Sequence, residues 1–430
     1  MPGLLRSSFR EIVFSPLALM VSIQMLSADD WPTFRGADRT GVAPDTGLLE
    51  HWPKEGPPLI WKTAGAGRGY SSIAIKNGRM FTLGDAPSIV SDKDEYLVSF
   101  QEKDGQPVWK TRVGAPWTQG KPDWQSSRGT PSVNDEYVYA ISPQGELICC
   151  LAADGKEIWR KHLVHDFGGK KGDGWGYSES PLLDGNRVIC TPGGEKATVV
   201  ALNGQTGELI WKTVRADDRG AGHASMVISE IGGVKVYVQT TAGGALGVRA
   251  NDGKLLWSYP IDATTAVAPT PIIRDDYVFF SAGYRRGGAL LQQLPGPDGT
   301  VTIKEIYPLK VKLANKHGGI VLVGDFLYGD SDDSGTPFCA DFLTGEVKWQ
   351  ARGSGKGSAC IAAADGHIYL RYANGVTVLA KADPEKYEEV GAFEPPGSGE
   401  RPSWSHPVIL DGKLYLRDQD VLTCFDLRTP

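Results

Sequence analysis

A short motif recurs along this 430-residue chain: a turn that contains glycine, followed four residues after that glycine by tryptophan. It reads DGQPVWK, DGKEIWR, TGELIWK, DGKLLWS and TGEVKWQ. Together with the earlier PPLIWK, these segments place tryptophan at Trp61, Trp109, Trp159, Trp211, Trp257 and Trp349. The intervals are 48, 50, 52, 46 and 92 residues, and the last is a doubled step. A divergent copy ending at Tyr307 fills it and another ends at Phe393, so the sequence contains eight units.

Each unit contains four segments of alternating apolar and polar residues separated by turns such as DG, NG and GG. This alternation, with many Val, Ile and Tyr, predicts antiparallel strands joined by hairpins. The predicted fold class is therefore all-β, an eight-bladed β-propeller of four-stranded antiparallel blades. The strand that carries Trp61 has no other strands before it. The last segment has three predicted strands but no tryptophan strand after them. We therefore expect residues 59–63 to pair with residues 421–427 and close the ring, which removes an exposed sheet edge.

The repeated tryptophans and most of the cysteines are expected to serve packing. Each tryptophan should face the neighbouring blade and fill the gap between two sheets. Five residues before each turn stands a small residue: Ser99, Cys149, Ala201, Gly247, Cys339 and, in the last unit, Cys424. A position that accepts any small side chain treats cysteine as a small hydrophobe. We therefore do not expect a disulfide between Cys149 and Cys150.

Composition and the N-terminus bear on location and partners. A net charge of -6 leaves no cationic surplus for phosphates, so nucleic-acid binding is not expected. Residues 1–28 combine arginines, an apolar run and small residues, which predicts a signal peptide and a periplasmic or secreted protein. No other stretch is long and apolar enough to predict a membrane span. We expect residues 29–56 to be an N-terminal extension, residues 57–430 to be the propeller, and the protein to be a monomer.

The run from Ala201 to Trp211, ALNGQTGELIW, and its copies resemble the tryptophan-docking repeat of PQQ-like propellers. That group includes quinoprotein alcohol dehydrogenases and the non-catalytic BamB-like proteins, so the resemblance implies the fold but not the chemistry. In the enzymes it implies pyrroloquinoline quinone (PQQ) and calcium on the ring axis, held by Glu, Asn and Asp, with an Asp base and a vicinal disulfide. Here the adjacent cysteines fall in a repeat strand, and no such ligand set can be aligned. These departures favour the BamB-like branch.

Candidate ligand-binding residues come from the start of each innermost strand, which should line one mouth of the central channel. The residues two places before the small residue that opens this strand, here named the ring residues, are Tyr70, Arg128, Ser178, His223, Ala268, His317, Lys356 and Trp404. Trp175, Tyr177, Glu179 and His406 lie next to them in sequence. Four of the ring residues can be cationic, which suits an anionic or polyhydroxy ligand. The alternative is that these polar side chains only satisfy backbone groups and water.

The sequence supports a metal site less well than it supports a ligand site at the channel mouth. DSDDSG, residues 330–335, with Asp341 resembles a calcium-binding loop, but a hairpin turn of the repeat explains the same residues. No metal ligands are therefore assigned, and catalytic residues are left open.

Three functions remain. The sequence favours an exported binding or assembly scaffold with a protein or polysaccharide partner at the channel mouth. The alternative is a PQQ-dependent alcohol or sugar dehydrogenase, with Glu179 as ligand or base. A lyase or hydrolase acting on polysaccharide at the same mouth is third.

Overall fold

Eight four-stranded antiparallel sheets account for the strands of the described residues. The computed structural model describes residues 30–85, 94–262, 265–332, 334–398 and 401–429. The predicted signal peptide, residues 1–28, lies outside the described residues. The strands are β1 (Leu59–Ala64), β2 (Ala74–Lys76), β3 (Arg79–Asp85), β4 (Glu95–Gln101), β5 (Pro107–Gly114), β6 (Ser132–Val133), β7 (Tyr137–Ile141), β8 (Glu146–Leu151), β9 (Glu157–His162), β10 (Leu182–Asp184), β11 (Arg187–Cys190), β12 (Val199–Asn203), β13 (Leu209–Thr213), β14 (Val227–Ile231), β15 (Val234–Thr241), β16 (Gly244–Arg249), β17 (Leu255–Pro260), β18 (Ile272–Arg274), β19 (Tyr277–Ala282), β20 (Gly287–Pro295), β21 (Val301–Lys310), β22 (Ile320–Val323), β23 (Phe326–Asp330), β24 (Pro337–Asp341), β25 (Val347–Gln350), β26 (Ala359–Ala364), β27 (His367–Tyr372), β28 (Thr377–Lys381), β29 (Glu389–Phe393), β30 (Val408–Leu410), β31 (Lys413–Asp418) and β32 (Val421–Asp426).

The sheets are the blades of a ring, and each of the first seven consists of four consecutive strands. Blade 1 is β2 to β5, blade 2 is β6 to β9, and the sequence continues to blade 7, β26 to β29. Helices in the described ranges are α1 (Leu163–Phe167) and three 3-10 turns, Pro122–Trp124, Pro297–Gly299 and Val311–Leu313, so none of these could span a bilayer. The predicted eight-bladed all-β propeller is confirmed.

Blade 8 joins the two ends of the chain, as the sequence predicted. Its strand order is β1, β32, β31 and β30, with Leu59 opposite Phe425 and Ala64 opposite Val421. Arg417 of β31 reinforces the seam, because its guanidinium donates hydrogen bonds to Thr82 Oγ1 and the Leu83 carbonyl in blade 1, both at 2.6 Å. Ring closure therefore combines a strand pair with a buried arginine.

The repeated tryptophans dock on the next blade. Trp211 in blade 3 lies over Gly253 in blade 4, and its Nε1 donates to the Ala250 carbonyl at 3.2 Å. A Cβ on Gly253 would stand only 2.5 Å from the indole. The turn therefore requires glycine for two reasons: the φ of +74°, and the absence of a Cβ where the indole packs. The divergent copy ending at Phe393 docks on Gly56 in the same manner.

The small residue of each unit lies directly opposite its tryptophan. Cys149 pairs across the sheet with Trp159, and Cys424 pairs with Trp61. The same pairing holds for Ser99, Ala201, Gly247 and Cys339. A larger side chain there would collide with the indole ring opposite it, which explains the restriction to small residues. All six cysteines are buried and free, Cys149 and Cys150 included.

The N-terminal extension runs along the innermost strands of most blades. Pro32 accepts a hydrogen bond from Val133 N of blade 2 at 2.8 Å, and Ala43 N donates to the Ala363 carbonyl of blade 7 at 2.8 Å. Arg39 is buried and donates to the carbonyls of Ser180 and Met226, in blades 3 and 4, both at 3.0 Å. Residues 30–43 therefore fill the hub of the ring.

Candidate functional site

A cavity of about 520 Å³ lies at the ring axis, where the innermost strands begin. We call it the axial cavity. Its aromatic lining residues are Phe34, Tyr70, Trp124, Trp175, Tyr284 and Trp404. Its polar lining residues are Arg128, Thr130, Ser178, His223, Thr265, Lys316, His317 and His406, and Ala266 and Ala268 complete it. Its volume is within the range of small-molecule sites in proteins.

Seven of the eight ring residues line this cavity. They converge because each stands just before the first strand of its blade, and those strands surround the axis. Of the ten candidate ligand-binding residues, the structure brings together Tyr70, Arg128, Trp175, His223, His317, Trp404 and His406. The other three candidates, Tyr177, Glu179 and Lys356, lie outside the cavity lining.

Those three side chains have other surroundings. Tyr177 is buried in blade packing and donates its hydroxyl proton to the Pro192 carbonyl at 2.9 Å. Glu179 is buried and accepts hydrogen bonds from Thr191 and from Gln239 Nε2, and its burial raises its pKa to about 7. Lys356 is exposed, and its backbone N donates to Asn374 Oδ1 at 3.0 Å.

An arc of aromatic rings and one guanidinium forms the wall of the cavity. The Tyr70 and Trp404 rings lie 4.8 Å apart, and Trp404 contacts His317 with ring centroids 5.0 Å apart. The Arg128 guanidinium lies 5.4 Å from the centre of the Tyr70 ring and 5.7 Å from that of Trp175. Stacking of a cation on aromatic faces holds the charge in place without a carboxylate.

The N-terminal extension supplies part of the cavity wall through Phe34. The Phe34 ring meets the His406 ring edge to face, with centroids 4.8 Å apart. His406 Nε2 lies 3.3 Å from the His317 carbonyl, and burial lowers the pKa of His406 to about 3. Phe34 therefore forms part of the cavity wall on the side of the N-terminal extension.

A hydrogen-bonded chain of three side chains ends in the cavity. Ser178 Oγ bonds to His223 Nδ1, and His223 Nε2 lies 2.9 Å from Asp173 Oδ2. Ser178 and His223 line the cavity, whereas Asp173 lies behind them with a side chain that is 8% exposed. Burial lowers the pKa of His223 to about 4, so its imidazole is neutral at pH 7.

The residues present do not fit the calcium-quinone arrangement that the resemblance implies for the dehydrogenases. None of the described residues that line the cavity is a carboxylate, and Glu179 is already satisfied by three protein donors. Cys149 and Cys150 lie in β8 within the packing between blades. In the described ranges, no three His, Cys, Asp or Glu side chains are grouped so as to hold a metal ion.

The described residues of the calcium-like string lie at the end of β23 and in the turn before β24, and residue 333 lies outside the described residues. Asp330 Oδ1 accepts from Thr336 N at 2.8 Å, and Asp332 accepts from the backbone of Tyr284 and Arg285. Asp341 Oδ1 accepts from Thr344 N at 2.8 Å. These carboxylates therefore fix backbone turns.

Sequence reasoning missed several lining residues. Trp124 precedes Arg128 by four residues, much as Trp175 precedes Ser178 by three, so an aromatic residue shortly before a ring residue was a usable signal. Phe34, Tyr284 and Lys316 gave no such signal, because they come from the N-terminal extension and from loops outside the repeat pattern.

Comparisons with known proteins agree on the fold. The curated outer membrane protein assembly factor BamB of Salmonella typhimurium is 37% identical over 110 residues, which are 25% of this chain and 25% of that protein. BamB of Yersinia pestis is 28% identical over 163 residues, 36% of each chain. This chain therefore spans only about a quarter to a third of the length of the curated relatives it matches.

Solved structures show the same propeller. BamB from Moraxella catarrhalis superposes with a TM-score of 0.57 at 15% identity, covering 86% of this chain and 98% of that one. A quinohemoprotein alcohol dehydrogenase from Pseudomonas putida superposes with a TM-score of 0.62 at 12% identity, covering 93% and 80%. At such identities the likeness shows the fold alone. A family model described as outer membrane protein assembly factor BamB matches residues 93–351, more than half of the chain, and the protein therefore belongs to that family.

Proposed function

We propose that this protein is an exported, periplasmic scaffold for assembly, and that its axial cavity holds an acidic segment of a partner protein. Membership in a family described as an outer membrane protein assembly factor supports the assembly role. The observation that carries the binding role is the cavity wall, in which Arg128 is stacked on Tyr70 and Trp175.

The charge of the wall supports an anionic ligand. Arg128 lines the cavity, and none of the described residues that line it is a carboxylate. Burial lowers the pKa of Arg128 to about 10, which still leaves the guanidinium protonated at pH 7. A desolvated guanidinium attracts a carboxylate more strongly than one in water does.

The aromatic residues support a ligand with flat or apolar groups beside its charge. Trp124 and Trp175 lie 4.7 Å apart between ring centres, and with Tyr70 and Trp404 they present several ring faces to one volume. Such rings pack on peptide side chains as well as on sugar faces. An acidic polysaccharide is therefore the main competing ligand.

Fluorescence titration of the purified protein tests this proposal. The ligands are an acidic aromatic peptide, a uronic acid oligosaccharide, its neutral counterpart, and PQQ with calcium. We expect the acidic peptide to bind, Arg128→Ala to weaken binding by roughly tenfold or more, and Lys356→Ala to have no effect. Lys356 is the matched control because it is a cation exposed outside the cavity lining.

Other outcomes would contradict the proposal. Binding of the oligosaccharide alone would replace the protein partner by a polysaccharide, and binding of PQQ with calcium would favour the dehydrogenase reading. Equal loss of affinity in both variants would place binding outside the axial cavity.

A further inference from the structure

Three side chains at the edge of the axial cavity have the arrangement of a nucleophile, a base and the acid that orients the base. Ser178 Oγ bonds to His223 Nδ1, and His223 Nε2 lies 2.9 Å from Asp173 Oδ2. Such a triad is recognised by its geometry and not by its order in the sequence. We propose that Ser178, His223 and Asp173 hydrolyse carboxylic esters that bind in the axial cavity. This activity goes beyond the scaffold role and does not depend on it.

The protonation states suit this chemistry. Burial, followed by the charge of Lys171, lowers the pKa of His223 to about 4, so the imidazole is neutral at pH 7 and can accept the serine proton, as a weaker base than a solvent-exposed histidine. Burial alone would raise the pKa of Asp173, but His223 and Lys171 outweigh it and lower that pKa to about 2. At pH 7 a neutral imidazole therefore stands between a hydroxyl and a carboxylate.

The backbone on both sides of the triad is fixed. Asp173 Oδ1 accepts from Trp175 N at 3.0 Å, which sets the carboxylate on the loop before β10. Lys171 Nζ donates to the Gly222 carbonyl at 2.8 Å, and His223 N donates to the Val267 carbonyl at 2.7 Å. These contacts hold the imidazole between its two partners before any substrate arrives.

Neighbouring ring residues supply the rest of the site. Arg128, Ser178 and His223 are the ring residues of blades 2, 3 and 4, and all three line the axial cavity. The charge of Arg128 acts on both Asp173 and His223. A cation at this place can stabilise the oxyanion that forms on the ester carbonyl. The aromatic wall indicates esters with a planar apolar group.

The reaction balances with water as the only co-reactant. Ser178 Oγ attacks the carbonyl carbon while its proton passes to His223 Nδ1, and the bond to the leaving alcohol breaks as that alcohol takes the proton from Nδ1. Water then attacks the acyl group on Ser178, gives one proton to His223 Nδ1, and releases the carboxylic acid as the proton returns to Ser178 Oγ. Asp173 positions the imidazole throughout.

Labelling with a fluorophosphonate, which reacts with activated serines, tests the proposal together with hydrolysis of p-nitrophenyl acetate. The variants are Ser178→Ala, His223→Gln and Asp173→Asn, with Ser358→Ala as control. Ser358 is the matched control because its hydroxyl lies 3.2 Å from Nε2 of another cavity histidine, His317, yet is not part of the lining. Far-UV circular dichroism checks that each variant is folded.

We expect one adduct, mapped by peptide mass to Ser178, in the wild type and in Ser358→Ala. Labelling should be absent in Ser178→Ala and slower by on the order of 10³-fold in His223→Gln and Asp173→Asn. An unlabelled wild type, an adduct on another residue, or unchanged rates in His223→Gln would overturn the proposal. Mapping the adduct on the wild type keeps the test valid if a variant fails to fold. The peptide titration is measured separately, so a lack of labelling leaves the scaffold proposal standing.

Discussion

Adding a methyl group to the glycine under a docked tryptophan tests the packing that defines the repeat. Gly253→Ala places a Cβ 2.5 Å from Trp211 Cε3 and keeps a φ of +74°. The left-handed backbone costs an alanine about 1 to 2 kcal/mol, and overpacking against the indole adds about 1 to 3 kcal/mol. We therefore expect Gly253→Ala to lower the free energy of unfolding by about 2 to 5 kcal/mol.

Two further variants separate the two costs. Gly78 has a φ of +69° and no heavy atom within 4 Å of its Cβ position, so Gly78→Ala should cost only the backbone part, about 1 to 2 kcal/mol. Trp211→Ala alone should cost about 3 to 5 kcal/mol. In that background Gly253→Ala no longer meets an indole, and its cost should fall to that of Gly78→Ala.

Urea unfolding followed by far-UV circular dichroism measures the wild type and all four variants, the double variant included, without relying on tryptophan fluorescence. The double-mutant cycle should give a coupling energy of about 1 to 3 kcal/mol between Gly253 and Trp211. A cost for Gly253→Ala equal to that of Gly78→Ala, or the same cost with and without the tryptophan, would refute the packing reasoning.

Three more predictions concern the hub, a buried acid and the ring closure. Arg39→Met removes the donor to several buried carbonyls and should lower the free energy of unfolding in urea by roughly 2 to 5 kcal/mol; a change below about 0.5 kcal/mol would show that the hub contacts contribute little. The pKa of Glu179 lies at about 7 instead of 4.5, so the folded state holds this proton more tightly and wild-type stability falls as pH rises between those values. Glu179→Gln does not have this loss, so its free energy of unfolding relative to that of the wild type should rise by about 3 kcal/mol over that pH interval. Plots of unfolding free energy against pH that stay parallel for the two proteins would contradict the burial effect. Deleting residues 421–430 removes β32, which leaves β1 without a partner and exposes one edge of β31, so size-exclusion chromatography should show aggregation; a stable monomer with an unchanged circular dichroism spectrum would argue against closure by this strand pair.

The repeat made most of the fold predictable. A turn glycine and a tryptophan four residues later mark one strand of a blade, and the small residue upstream is the cross-strand partner of that tryptophan. Both are local constraints that recur, so they are visible in a single sequence. The count of repeat units also predicted the pairing of residues 59–63 with residues 421–427, because it left one blade to be completed by strands from both ends of the chain.

The hub could not be predicted, since its contacts are non-local and occur once. Arg39 bonds to carbonyls 141 and 187 residues away, and no periodicity marks it as buried. The site was predictable only where it follows the repeat. Arg128 and His223 were predicted because they occupy the repeat position just before the innermost strand of their blades. Asp173 was not, because it lies in a loop whose length the repeat does not determine. Lys356 stands at the equivalent repeat position but is exposed and outside the cavity lining, so the repeat position alone does not decide which side chains reach the cavity.

Oxidative footprinting tests most directly whether the axial cavity is where this protein binds its partner. Trp124, Trp175 and Trp404 line the cavity, whereas Trp211 and Trp257 are buried between blades. With the acidic peptide bound, hydroxyl-radical labelling of the three cavity tryptophans should fall while labelling of all other tryptophans is unchanged. Unchanged labelling of the cavity tryptophans, with protection appearing elsewhere on the ring, would contradict the account.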